Sequence, residues 1–146
     1  MKPQGQLITR EFYQRAESPV VHLPGTLAHH DVEQADAEFT AGRPTFFIVD
    51  VPAKTMCMTI GSLQPGQRSG SHRHSYETIM YITHGQGYTM IEDQRVDWQA
   101  GDAVYVPVWA WHHNVNLSPD TAARYVSCDN APQLHHAGVA MFEPAQ

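Results

Sequence analysis

The chain has 146 residues, 42% of them hydrophobic, with a formal net charge of −6. That length suits one domain burying roughly two-thirds of its unfolded surface. Its few basic residues are scattered, which argues against nucleic acid, and no apolar run approaches the roughly 20 residues of a membrane helix.

The opening Met1-Lys-Pro-Gln-Gly-Gln6 lacks the apolar core of a signal peptide. Residues 1–45 carry little strand character and read as an irregular, partly helical leader to a domain over 46–146. Within it, Thr9–Ser18 suits a short helix, and Asp31-Val-Glu-Gln34 resembles a capping box opening another that runs to about Phe39. Pro19, Pro24 and Pro44 punctuate the segment. Strand-like runs follow at Thr45–Val51, Thr55–Leu63, Ser71–Ser75, Thr78–Thr83, Tyr88–Glu92, Arg95–Gln99, Ala103–Val106, Trp111–Leu117 and Arg124–Asp129. Short strands separated by turn residues predict an all-β sandwich or barrel. Hairpins are expected across Gly85–Gly87 and Asp93–Gln94. Cys57, inside an apolar strand, reads as a reduced packing cysteine, and with only Cys128 beside it no disulfide framework is implied. A cytoplasmic protein is the expectation.

Two segments carry chemistry. In Gly66-Gln-Arg-Ser-Gly-Ser-His72-Arg-His74, two histidines stand at i and i+2, a spacing that puts both on one face of a strand and splays them on a helix. In Gly101-Asp-Ala-Val-Tyr-Val-Pro107-Val-Trp109-Ala-Trp-His112-His-Asn114-Val-Asn116, a second strand carries His112, Asn114 and Asn116 on one face. Strands running between the segments would bring His112 beside His72 and His74, giving a three-imidazole metal site with coordination positions left open. His22, His29, His30, His84, His113, His135 and His136 lack such context.

The two segments resemble the paired motifs of the cupin superfamily. Gly66, His72, His74 and Gly85 fit the first motif; Gly101, Pro107, His112 and Asn116 fit the second, with Trp109 where the family has glycine. The resemblance covers about residues 55–128, and the phrasing around His72-Arg-His74, Gly85-Gln-Gly87-Tyr and Trp111-His112 is similar to the gentisate dioxygenase-like branch. It implies a single-domain jelly-roll β-barrel with a metal inside and a leader that packs across a homodimer interface or caps its own barrel. The family's glutamate, counted back from Gly85, falls on Thr78, and Glu77 stands one place early. A one-residue shift turns a strand side chain to the opposite face, which predicts three histidines without a carboxylate; a local bulge would turn Glu77 inward as a fourth ligand.

Met80, Ile82, Tyr88, Met90, Tyr105, Trp109 and Trp111 are candidates for an aromatic-rich pocket wall, core filling being their plainer role. Asn114 is placed to donate to a bound oxygen, Asn116 to tie down backbone, and Arg124 or Arg68 to reach a substrate carboxylate. Arg73 should point away. The ligand set suits Fe(II), with Zn, Mn or Ni as other borderline choices. Together with the resemblance, this points to an Fe(II) dioxygenase acting with O2 on a small chelating aromatic or diketone-type substrate. The alternatives are a non-oxidative metal-dependent isomerase or lyase and a non-catalytic ligand-binding barrel.

Overall fold

The computed structural model describes residues 20–35, 37–42 and 45–146. The helix expected over Thr9–Ser18 lies outside the described residues. Among the described residues ten strands form two sheets: β1 (Phe46–Ile48), β2 (Cys57–Leu63), β9 (Ala123–Asp129), β4 (Thr78–His84) and β7 (Ala103–Val106) in that spatial order, and β10 (Phe142–Pro144), β3 (His72–His74), β8 (His112–Asn116), β5 (Gln86–Ile91) and β6 (Gln94–Gln99) in the other. Every pairing is antiparallel. The molecule is an all-β jelly-roll sandwich, with its functional cavity between the sheets.

Strand alternation decides what that cavity contains. On the inner face of the first sheet, register aligns Cys57, Asp129, Thr78 and Val106 in one rung, Thr59, Ser127, Met80 and Val104 in the next, and Gly61, Tyr125 and Ile82 in a third. Leu63 and Ala123 close the far end, both fully buried. The wall thus grades from apolar to polar along the strands. Leu63, Met80, Ile82, Trp98, Val104, Ala123 and Tyr125 make the inner core. Gly61 has a steric reason to be glycine: an added Cβ would lie 2.0 Å from the Tyr125 ring.

A second core lies on the outer face of the same sheet. Phe47, Val49 and Ile60 pack there with Phe39 of the leader, whose ring meets Phe47 at 4.7 Å. Arg124, also facing outward, pairs with Glu33, so Val32, Glu33 and Phe39 clamp β1, β2 and β9 from outside. The capping-box helix is divided. Asp31 takes a left-handed φ of 50°, Gln34 N–H bonds the Asp31 carbonyl, and a 3-10 turn over Val32–Ala35 precedes the single-turn α1 (Ala37–Thr40).

One other expectation changes, and two elements are additions. Residues 81–88 are not a hairpin: β4 and β5 belong to different sheets. Gly85, at a φ of 79°, is a corner where an added Cβ would lie 2.9 Å from the Ala122 carbonyl oxygen and from the Ala123 Cα. The β5–β6 hairpin is real, turning at Glu92 (φ 52°) and Asp93. Helix α2 (Ala131–His136) and strand β10 were not foreseen. β10 is held to β3 by backbone pairing and by Arg73, whose Nε bonds Glu143 at 2.8 Å while its guanidinium lies over the rings of Trp109 and Trp111 at 4.5 and 4.7 Å.

Candidate metal centre

His72 and His112 are register partners on adjacent strands β3 and β8, and His74 follows on the same face of β3. Ring centroids are 4.3 Å apart for His72–His112, 4.8 Å for His74–His112 and 5.6 Å for His72–His74. One nitrogen from each lies within 4.8 Å of the others. The second nitrogen explains the tautomer. His72 Nδ1 meets the Gly70 carbonyl at 3.1 Å, His74 Nδ1 the Tyr76 carbonyl at 2.8 Å, and His112 Nδ1 the Ala110 carbonyl at 2.9 Å. A carbonyl only accepts, so each Nδ1 carries the hydrogen and each Nε2 keeps its lone pair. Backbone carbonyls behind the rings orient them as outer partners orient metal-ligating histidines.

The environment keeps the rings neutral. Burial lowers the pKa of His72 and His74 and pushes His112 down to about 4, the neighbouring histidines adding to the effect there. Loss of hydration penalises the charged imidazolium. His74 stacks flat on Tyr76, centroids 3.9 Å apart, and Phe142 of β10 lies over His72 at 5.2 Å. Three neutral, preoriented imidazoles suit a borderline divalent ion such as Fe, Zn or Ni; the residues present fit such a group.

The histidines open onto a cavity of about 300 Å³, at the lower end for small-ligand pockets. A hydrogen-bond relay enters it from the core. Trp98 Nε1 donates to Thr89 Oγ1 at 2.9 Å, Thr89 donates to Asn114 Oδ1 at 2.7 Å, and Asn114 Nδ2 donates to Tyr125 Oη at 3.3 Å. The indole can only donate and the Asn114 amide oxygen can only accept, so Thr89 receives from the one and gives to the other, leaving the Asn114 amide nitrogen to donate to Tyr125. Tyr125, whose pKa burial raises, ends the relay as a neutral hydroxyl with its own proton free for a ligand. Thr59, Thr78, Ser127 and Asp129 also face the cavity, as do Cys57 and Tyr76.

Of the residues singled out from sequence, His72, His74, His112, Met80 and Asn114 line this cavity. Ile82 lies in the core beneath it. Glu77 is exposed and sits with Tyr105, whose pKa it helps raise; it lies outside the histidine group, while Thr78 faces inward. The remaining pocket candidates are corrected. Tyr88 and Met90 face outward, Tyr88 beneath Arg95 at 4.2 Å, because Gly87, Thr89 and Ile91 take the inner face of β5. Tyr105 stands on the outer face. Trp109 and Trp111 sandwich Arg73 outside the cavity, Trp109 adopting the φ of 63° that glycine takes readily. Arg124 is committed to Glu33, and Arg68 is exposed beside β8. Asn116 ties backbone, donating to the carbonyls of Leu63, Gln64 and Thr121. Cys57, Thr59, Tyr76, Tyr125, Ser127 and Asp129 were missed. The period of two along Ala123-Arg-Tyr125-Val-Ser127-Cys-Asp129 was the available signal for the last three.

Residues 59–129 match the family described as Cupin domain, and the paired sheets with their inward histidines agree with that match. The chain is similar to proteins of the gentisate dioxygenase-like branch. Gentisate 1,2 dioxygenase 1 of Aquipseudomonas alcaligenes is 40% identical over 55 residues, covering 37% of this chain and 16% of that protein. The 5-aminosalicylate 1,2-dioxygenase of a Comamonas species is 30% identical over 77 residues, 53% of this chain and 20% of its own length. The chain therefore matches no more than about a fifth of these relatives. Salicylate 1,2-dioxygenase from Pseudoaminobacter salicylatoxidans, solved as adducts with gentisate, superposes with a TM-score of 0.65 at 21% identity over 72% of this chain and 31% of the other, a likeness of fold.

Proposed function

We propose that this chain is a metal-dependent dioxygenase that cleaves a small chelating aromatic ring, with Fe(II) held by His72, His74 and His112 and without Glu77. One observation carries the reading. Three imidazoles, each with its Nδ1 hydrogen committed to a backbone carbonyl, turn their free nitrogens toward one another at a cavity wall. The dioxygenase relatives support the same chemistry. When bound, the metal supplies chelation of two neighbouring substrate oxygens and a partner for O2. The chain's own residues do the rest. The three imidazoles hold geometry, Phe142 and Met80 exclude water from the ring, and the Tyr125 hydroxyl donates to a substrate oxygen through the orientation its relay imposes.

The leader is proposed to pack on the domain of residues 46–146 or on a partner subunit, and the contacts of Val32, Glu33 and Phe39 with the outer face of the first sheet support the former. A homodimer is proposed from the exposed apolar side chains Ile79, Tyr81 and Tyr105 on the outer faces of β4 and β7. The unpaired thiols of Cys57 and Cys128 support a reducing, cytoplasmic setting. No helix among the described residues is long and apolar enough to cross a membrane.

Elemental analysis of protein purified without added metal, followed by anaerobic Fe(II) reconstitution and oxygen uptake with gentisate, salicylate, catechol and a β-diketone, tests the function. Stoichiometric metal in the wild type and in Glu77→Ala, its loss in each histidine-to-alanine variant, and oxygen consumption with one of these substrates are expected. No uptake with any of them refutes the oxygenase. Turnover that persists without oxygen assigns the site to Lewis-acid chemistry instead.

A further inference from the structure

The charge of the cavity wall bears on which groups a ring can carry beyond the oxygens it would offer a metal. Gentisate, salicylate and 5-aminosalicylate each carry one carboxylate beside a ring hydroxyl, a pair that a divalent ion at the histidines would neutralise; a second carboxylate would need a buried cation from the wall itself. Among the described residues no Lys or Arg lines this cavity, and the one carboxylic acid that does is Asp129. Arg124 and Arg73 are each occupied elsewhere, with Glu33 and with Glu143.

Asp129 is built into the wall. It is the register partner of both Cys57 and Thr78, at the polar end of the inner face. Its Oδ1 accepts from Cys57 Sγ at 3.0 Å and from the Ala131 N–H at 2.9 Å. Its Oδ2 takes no hydrogen bond among the described residues. Burial, with the Asp129 carboxylate beside it, pushes the Cys57 thiol up to about 12, so that thiol remains a protonated donor. Asp129 shares the cavity lining with His74 and with Tyr76, whose ring stacks on His74.

We propose that Asp129, through its free Oδ2, sets the substrate class of this cavity: chelating aromatics that carry an ammonium or a neutral hydrogen-bond donor, in preference to ring acids bearing a further carboxylate. The inference rests on the metal-chelating reading above. An ammonium or N–H would donate to Oδ2, whereas a second carboxylate meets an uncompensated like charge in a partly desolvated site. Tyr125, a neutral donor, offers no charge to offset that repulsion.

Three catechols with one chelating end and different tails isolate the effect: 4-(2-aminoethyl)catechol, 4-methylcatechol and 3,4-dihydroxybenzoate. Each is titrated calorimetrically into full-length protein loaded with Zn(II), which removes turnover from the readout, and the titrations are repeated with Asp129→Asn. In the wild type the ammonium ligand should bind about tenfold or more tighter than the carboxylate ligand, with the methyl compound between, as expected for unit charges a few ångströms apart at intermediate dielectric. In Asp129→Asn, whose amide oxygen still accepts from Cys57 and Ala131, the three affinities should converge to within about threefold. Equal affinities in the wild type, a preference for the carboxylate, or a spread that survives Asp129→Asn overturns the inference while leaving metal chelation intact. If the variant does not fold, the wild-type order alone decides. Absence of binding by all three refutes chelation at the histidines, and the inference with it.

Discussion

Acidifying the metal-free protein should unfold it by a route that runs through His112. This ring is only 6% exposed, and its pKa falls to about 4 in the fold from an ordinary 6.5. Above pH 6.5 the ring is neutral whether the chain is folded or not, and its contribution to stability does not vary. As pH drops below 6.5 the unfolded chain takes up a proton that the native ring refuses, so stability is lost progressively until pH reaches about 4. At about 1.36 kcal/mol per pH unit, that interval is worth about 3 kcal/mol. Burial lowers the pKa of His72 and His74 in the same direction. For a domain whose whole stability is about 5–15 kcal/mol, the loss is large. Urea denaturation of metal-free wild type and His112→Gln at pH values from 7 to 4.5 reads it out. The variant should start less stable, and its stability should fall with pH less steeply, by about 2–3 kcal/mol across that range. Parallel pH profiles would refute the argument that burial holds His112 neutral.

Three further outcomes are expected. Thr89→Val strands the Trp98 N–H and the Asn114 carbonyl in a fully buried site, which should cost about 2 kcal/mol or more and lower Tm by roughly 4–8 °C; an unchanged Tm would show that the relay carries no energy. Gly61→Ala drives a methyl into the Tyr125 ring and should destabilise by about 1–3 kcal/mol, with part of the loss recovered when Tyr125→Leu is added; independent, additive effects would refute the contact. Sedimentation velocity tests the outer face: Tyr81→Lys with Tyr105→Lys should turn a dimer into a folded monomer, and an unaltered sedimentation coefficient would place any interface elsewhere.

How far the site was legible depended on whether its geometry is local. His72 and His74 share a face because strands repeat every two residues, and the same rule groups His112 with Asn114 and Asn116. The position of Glu77 follows from that parity too: one residue off, it lies outside with Tyr105. The same rule, applied by size, failed on β5. Tyr88 and Met90 are large and apolar, yet the inner face belongs to Gly87 and Thr89, because Trp98 from β6 fills the space over Gly87 and bonds Thr89.

The sequence by itself determined strands β1 to β9 and which histidines share a face, since each is set by neighbours a few residues apart through sterics and side-chain alternation. Tertiary structure alone decided that β4 and β5 part into different sheets, that Arg73 and Arg124 are spent on Glu143 and Glu33, and that Cys57, Asp129 and Thr78 from three separate strands form one rung of the cavity wall. The physical reason is that register between strands far apart in the chain is chosen by the packing of both sheets at once, and no local pattern encodes that choice.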